Sequence, residues 1–326
     1  MNFQDLGMII ENIYHILQQV FSIVLTVCLG VGIISGPSTD SPATFQDSAN
    51  CEMSFVALAD THVRDTAINP YYIENGFKDM AAAEGEFDAL VIAGDISELG
   101  DGYSYDMFWD KIDNSLFGDK PVLMATGNHD VRILYNERTQ QIIEKTEEHL
   151  GMEIDKPYYS YDVEGYTFVV LGSDKRLFEK AHISDKQLSF LDSELERGTR
   201  EGKPVFVVCH QPLENTHGLP DVWENGGIGE QSEQVKQILM KYENVFFLNG
   251  HLHDGIYEKS LEVFDEEKGV YSINLPAYGK ENDYGPFSQQ GLGVYVETYS
   301  DRVVFTARDF FKGNNLDGYT YTFYLK

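Results

Sequence analysis

Residues able to hold a metal ion or touch a phosphate fall in five short pieces of this chain: Asp60-Thr61-His62, Gly94-Asp95, Gly127-Asn128-His129-Asp130, His210, and Gly250-His251-Leu252-His253. Their donors are oxygen and imidazole nitrogen, with no thiolate. That set suits zinc, manganese or ferrous iron. One consistent assignment puts Asp60, His62, Asp95 and His253 around a first ion. Asp95, Asn128, His210 and His251 then surround a second. Asp95 has two carboxylate oxygens and can bridge the pair, while Asn128 offers its amide oxygen. Two ions about 4 Å apart clamp the attacking and departing oxygens of a phosphoryl group, and they lower the pKa of a water between them. No serine or cysteine nucleophile is then needed, and the expected chemistry is hydrolysis of a phosphate ester. Asp60-x-His62 and Gly94-Asp95 alone are weak, because Gly-Asp is a common turn and a single histidine is more often an interior or surface residue than a ligand; Gly-Asn-His-Asp and Gly-His-Leu-His after a strand are stronger. The joint occurrence carries the reading.

His129 sits beside Asn128 and is expected to point away from the ligand set, with Asp130 fixing its tautomer and raising its basicity. These two are the candidate catalytic residues. Protonating the leaving oxygen and stabilising charge on the transferring phosphoryl both suit His129. Asp254 is a candidate support next to His253. Arg64 reads equally as a phosphate contact and as a surface cation. His15, His149, His182 and His217 lack comparable placement and receive no metal role. The segment 211–229, with His217, Trp223 and Gly226-Gly227, reads equally as the substrate mouth and as an exposed loop.

The elements that must position these residues are apolar runs. Strands are expected at 54–59, 88–93, 121–126, 205–208 and 245–248, most of them ending at one of the five pieces. Helical segments at 69–82, 105–116, 137–150, 184–197 (capped by Ser184) and 230–241 separate them. A hairpin is expected from 158–161 and 166–171 around Glu164-Gly165. Continuous apolar strands spaced by helices mean a buried, partly parallel sheet covered on both faces. Beyond residue 268 the pattern becomes alternating, with short strands at 269–274, 293–298, 302–307 and 319–324 that suit antiparallel pairing. The expected class is α/β, one catalytic domain of two sheets with helices outside.

The 326 residues carry 53 acidic against 24 basic side chains, a formal charge of -29. Such a surface repels nucleic-acid backbones, so no long DNA or RNA is expected as a partner; a small phosphate ester remains compatible. Apolar content of 42% is enough for a sizeable core. Cysteines at 28, 51 and 209 form no disulfide framework, and Cys209 reads as a small buried hydrophobe. Residues 20–34, VFSIVLTVCLGVGII, followed by a polar Pro- and Ser-containing stretch, read as a signal or membrane-anchor segment plus linker over residues 1–50. The run is short against the roughly 20 residues of a span, and no Lys or Arg precedes Arg64 to supply the usual basic flank. The expectation is therefore an extracellular or outward-facing anchored protein with membrane association through 20–34. A packed helix on a cytoplasmic protein is the alternative. The catalytic domain is expected over 51–326.

The order D-x-H, G-D, G-N-H-[DE], H and G-H-x-H resembles that of the calcineurin-like metallophosphoesterases, over about residues 52–310. The resemblance implies a four-layer α/β/β/α sandwich of two mixed sheets flanked by helices. It also implies a dinuclear centre whose metal-bound hydroxide is the nucleophile. Carried over motif by motif, Asp60, His62, Asp95, Asn128, His210, His251 and His253 take the ligand roles above, and His129 that of the catalytic histidine that binds no metal. The purple acid phosphatase branch places a tyrosinate three residues after the bridging aspartate. Glu98 stands there in this chain, and His62 occupies a position where that branch has no histidine, so a ferric tyrosinate centre is not expected. The expected cofactors are two divalent ions (Mn, Fe or Zn) and the expected partner is a small phosphomonoester or phosphodiester. An extracellular nucleotidase or cyclic-nucleotide phosphodiesterase is one alternative, and a non-catalytic metal-binding scaffold is another. The metal, the leaving group and the oligomeric state stay open at this level.

Overall fold

The computed structural model describes residues 42–64, 68–83, 86–283 and 285–326. Its first half runs β1 (Met53–Leu58), α1 (Ile68–Ala81), β2 (Ala89–Ile92), α2 (Gly102–Asp113), β3 (Val122–Met124), α3 (Asn128–Val131), α4 (Tyr135–Leu150), β4 (Tyr159–Val163) and β5 (Tyr166–Val170). Then follow α5 (Asp185–Gly198), β6 (Val205–Val208), α6 (Ser232–Leu239), β7 (Val245–Asn249), β8 (Leu261–Asp265), β9 (Val270–Asn274), β10 (Leu292–Thr298), β11 (Arg302–Asp309) and β12 (Asn314–Tyr324).

Two mixed sheets result. One has the order β12-β11-β10-β1-β2-β3 and the other β4-β5-β6-β7-β9-β8. In each, the strands that lead to the candidate ligands pair in parallel: β1 with β2 and β2 with β3 in the first, β6 with β7 in the second. Alternation along β1 shows why its sequence is apolar throughout. Phe55 and Ala57 join the core between the sheets, while Val56 and Leu58 face the helices on the other side. The inter-sheet core holds a run of packed rings, Phe55 on Phe206 with centroids 4.8 Å apart and Phe206 on Phe246 at 5.6 Å. Helices α1 and α2 cover the outer face of the first sheet through Ile73, Phe77, Phe108 and Ile112. Helices α5 and α6 cover the second through Leu188, Leu191, Leu195, Val235 and Leu239. The layers are helix, sheet, sheet, helix, the four-layer sandwich that the resemblance implies.

The expectation of a membrane anchor is corrected. Among the described residues no helix is long and apolar enough to cross a membrane. Helix α4, at 16 residues, would reach only about 24 Å, and it carries Glu, Lys and Arg along its length. The segment 20–34 that prompted the expectation lies outside the described residues. Cys51 and Cys209 are free, and Cys209 is buried as its sequence context suggests.

Candidate metal centre

The candidate ligands stand at the carboxyl ends of β1, β2, β3, β6 and β7, where open α/β sheets place their ligands. Backbone geometry there is unusual. Asp60, His62, Asp95, His251 and His253 have φ values of 54°, 43°, 50°, 75° and 53°. L-residues visit this left-handed region rarely, at a cost of order 1–3 kcal/mol each, and such strain persists only where the surroundings over-determine it. Here main-chain hydrogen bonds do so. Asp60 N donates to Gly94 O at 3.0 Å, His62 N to Asp95 O at 2.9 Å, and Gly250 N to His210 O at 2.9 Å. Two glycines let the pieces close on one another. A Cβ on Gly94 would lie 2.6 Å from the His210 Cβ, and one on Gly127 would lie 2.1 Å from Asp95 Oδ1.

Two clusters form. In the first, His253 Nε2 lies 3.1 Å from Asp60 Oδ1 and 3.2 Å from His62 Nε2. In the second, His210 Nε2 lies 3.0 Å from Asn128 Oδ1, 3.1 Å from His251 Nδ1 and 3.3 Å from Asp95 Oδ2. The same Asp95 oxygen is 3.7 Å from His62 Nε2, so it faces both clusters. Asp60 is shared differently: its Oδ2 accepts the His251 amide N–H at 2.9 Å, which ties the first motif to the last. All seven residues named from the sequence as ligands meet here, and the two clusters are positioned for a dinuclear divalent-metal site.

Proton bookkeeping supports that fit. Asn128 Nδ2 donates to Glu179 Oε2 at 2.7 Å, and this fixes the amide so that Oδ1 faces His210. His210 Nδ1 can only donate to the Ala93 carbonyl, 2.8 Å away, which leaves Nε2 as a lone pair in the neutral ring. Two acceptors then face each other at 3.0 Å inside the protein. Only a proton or a metal ion resolves that contact. Burial alone would depress the His210 pKa, but the Asp95 carboxylate outweighs it and lifts the ring to about 10. Burial likewise opposes the Asp95 charge, yet His210, then His62, holds that carboxyl well below the usual range. The pocket thus demands positive charge, and a divalent ion supplies it.

Around the clusters stand groups the sequence reading missed or misplaced. Glu98 Oε2 lies 3.3 Å from His62 Nδ1, at ion-pair distance although off hydrogen-bond geometry, and 2.5 Å from Lys280 Nζ. It stands behind His62, whose Nε2 faces the cluster, and belongs to a third group with His62 and His129. Its position in the loop just after the bridging aspartate was the available signal. Glu179, 51 residues from Asn128, gave none. The expected Asp130–His129 pairing is corrected. His129 Nδ1 donates to the Glu98 carbonyl at 2.7 Å, and Arg132 Nη2, 3.1 Å from the same nitrogen, is a neighbouring charge rather than its donor. Burial lowers the His129 pKa, and Nε2 is left for the cavity. Asp130 turns inward instead. It accepts from Ser97 N at 2.9 Å, Gly127 N at 2.8 Å and Tyr105 Oη at 2.6 Å, fastening the Gly-Asp loop to the start of α3. Arg64 lies 4.0 Å from Glu98 and is not among the residues lining the cavity.

The clusters open into a cavity of about 320 Å³, whose lining also includes Val222, Trp223, Leu252, Asp254 and Asp283. Of the segment 211–229, Val222 and Trp223 therefore stand at the mouth, while His217 is buried away from it. Trp223 stacks on His251 with ring centroids 4.4 Å apart.

A four-layer sandwich with two ligand clusters at its strand ends defines a protein of the dinuclear metallophosphoesterase class. The family profile of calcineurin-like phosphoesterases matches residues 53–255, and the chain belongs to that family. No curated protein matches it. Among solved structures it is similar to a dimetal phosphatase from Danio rerio, with 15% identity, coverage of 85% of this chain and 100% of that one, and a TM-score of 0.63. It is also similar to a purple acid phosphatase from yellow lupin (Lupinus luteus) seeds, with 14% identity and a TM-score of 0.58, covering 83% of this chain and 53% of that one. At these identities the likeness is one of fold.

Proposed function

We propose that this chain is a metal-dependent hydrolase of small phosphomonoesters or phosphodiesters. The observation that carries the reading is the pair of lone-pair clusters sharing one Asp95 oxygen at the floor of an open cavity. Two divalent ions held by Asp60, His62, Asp95, Asn128, His210, His251 and His253 would neutralise phosphate charge and furnish an activated water. The chain's own residues set the rest. Asp95 is held in its charged form, because the imidazoles of His210 and His62 beside it keep its carboxyl low. His129, tied through Nδ1 to the Glu98 carbonyl, presents Nε2 to the cavity, where it exchanges one proton with a substrate oxygen. Asp130 acts at a distance, by fixing the loops that carry Asp95 and Asn128. The charge of -29 supports a small substrate over a polynucleotide.

The test is direct. Protein loaded with Mn(II) is expected to cleave an aryl phosphate, a bis-aryl phosphate, or both. Asp95→Asn is expected to lower kcat by at least about 100-fold while the far-UV circular dichroism stays native. Two bound metals with no turnover on any phosphoester would overturn the reading.

A further inference from the structure

We infer that Glu179 is a positioning residue for the second metal site: it locks the Asn128 amide with its oxygen toward the ion and denies the empty site a metal-free arrangement of its own. The inference rests on the two-ion reading of the centre and holds whichever ester is cleaved. Glu179 lies outside every motif, in the segment between β5 and α5. It reaches both halves of the second cluster. Its Oε2 accepts from Asn128 Nδ2 at 2.7 Å, and its carbonyl accepts from Gln211 Nε2 at 3.0 Å. Asn128 follows β3 of the first sheet, and Gln211 is the chain neighbour of His210, which follows β6 of the second. Asn128 and Gln211 are both buried. The segment that carries Glu179 is itself held on several sides. Asp174 N donates to the His182 carbonyl at 2.8 Å, Arg176 Nε to the Arg132 carbonyl at 2.9 Å, and Lys180 Nζ to Glu214 Oε1 at 3.0 Å. One glutamate thus braces two ligands that come from different sheets.

An asparagine amide can turn over and exchange its oxygen with its NH2 in nearly the same volume. Turned over, Asn128 would donate from Nδ2 to the His210 Nε2 lone pair across the 3.0 Å that now separates two acceptors. Both groups would then be satisfied with neither proton nor ion between them, and the site would lose its amide oxygen. The ionised Glu179 carboxylate only accepts, so it opposes that turn. It would face the amide oxygen at the 2.7 Å where it now receives an N–H.

With the amide locked, Oδ1 and the His210 lone pair stay directed at the same point, and only a cation relieves them. The hydrogen bond to a charged acceptor also polarises the amide and strengthens Oδ1 as a ligand.

The experiment titrates the full-length apoprotein with Mn(II) and follows free ion and exchange-coupled Mn pairs by electron paramagnetic resonance. The wild type is expected to bind two ions and to show the coupled pair. Glu179→Ala is expected to weaken one binding step by about 10- to 100-fold and to leave the other unchanged, so that isolated Mn(II) replaces the pair at limiting metal. Glu179→Gln, whose amide oxygen still accepts from Asn128, is expected to restore most of that affinity. His253→Ala removes a ligand of the first set only. In that background Glu179→Ala is expected to weaken the remaining ion by the same factor. Wild-type affinity at both steps in Glu179→Ala overturns the inference and leaves the two-ion reading standing. So does an equal loss at both steps, which is what a merely structural role produces. Glu179→Gln binding as weakly as Glu179→Ala, or no loss in the His253→Ala background, overturns it as well. A wild type that binds no pair of ions overturns the inference and the two-ion reading together.

Discussion

Glu98 shows how a single side chain outside the motifs can set the strength of a ligand. Its carboxylate stands 3.3 Å from the far nitrogen of His62, and that imidazole is lifted to about 9 against the burial that would lower it, with Asp60 and then Glu98 as the causes. A carboxylate behind a ligating histidine orients it and raises its basicity. Glu98→Gln is therefore expected to weaken binding at the first site by about 10- to 100-fold, as measured by competition with a chromogenic chelator. Equal affinities for the two proteins would remove Glu98 from this role. The seven ligand candidates were legible in the sequence because each follows a buried apolar run. Glu179 was not, since a lone glutamate in a polar loop has no pattern, and the one signal for Glu98 was its place three residues after Asp95. Asp130 was misassigned because nearness in sequence was read as nearness in space. Helix α3 begins at Asn128 and rotates successive side chains apart, so His129 faces the cavity while Asp130 faces inward to Tyr105.

At the scale of elements, the segment 211–229 is latched to the second sheet through His217. The ring is 1% exposed. Nδ1 donates to the Lys259 carbonyl at 2.8 Å, and Nε2 accepts from Ser272 Oγ at 2.8 Å. Ser272 Oγ in turn accepts from Asn249, and Asn274 bonds both Asn249 and the Gly250 carbonyl, so the latch runs to the last ligand motif. Burial lowers the His217 pKa from 6.5 to about 4. Between those values the unfolded chain holds the proton and the folded chain does not, so stability rises with pH across that window and is lost as pH falls through it. The contribution is about 3 kcal/mol. Urea unfolding from pH 4 to 7 is expected to show a steeper slope for the wild type than for His217→Gln; parallel curves would exclude the latch as an acid-sensitive point. The strands that lead to ligands were legible here too, because burial on both faces forces unbroken apolar runs. β8 was not, as a half-exposed edge strand with the sequence LEVFD lacks a clean alternation.

At the scale of the whole molecule, the candidate centre joins the two sheets. Asp60, Asp95 and Asn128 follow strands of one, and His210, His251 and His253 follow strands of the other. Ions bound between them would stabilise the folded state by about 2.7 kcal/mol each at 100 times Kd. Scanning calorimetry is expected to show Tm rising by about 5 °C or more on adding Mn(II) or Zn(II), reversed by chelator, with one transition in both states. An unchanged Tm, or two separate transitions, would count against a shared centre. Two sheets with helices outside were legible from the pattern and its change after residue 268, and the four-layer order from the resemblance; the register was not, and β9 pairs in parallel with β7 as well as antiparallel with β8, because pairing between distant segments leaves no local mark. That pairing has a bearing on how the protein is made. β1, which leads to Asp60, is completed on one side by β10, where Thr298 stands opposite Met53, 245 residues later. A ribosome adding about 5–20 residues per second needs roughly ten to fifty seconds to cover that gap. By the end of that interval all seven ligand residues have been made, and throughout it the nascent chain trails an open apolar strand edge that a chaperone would have to shield.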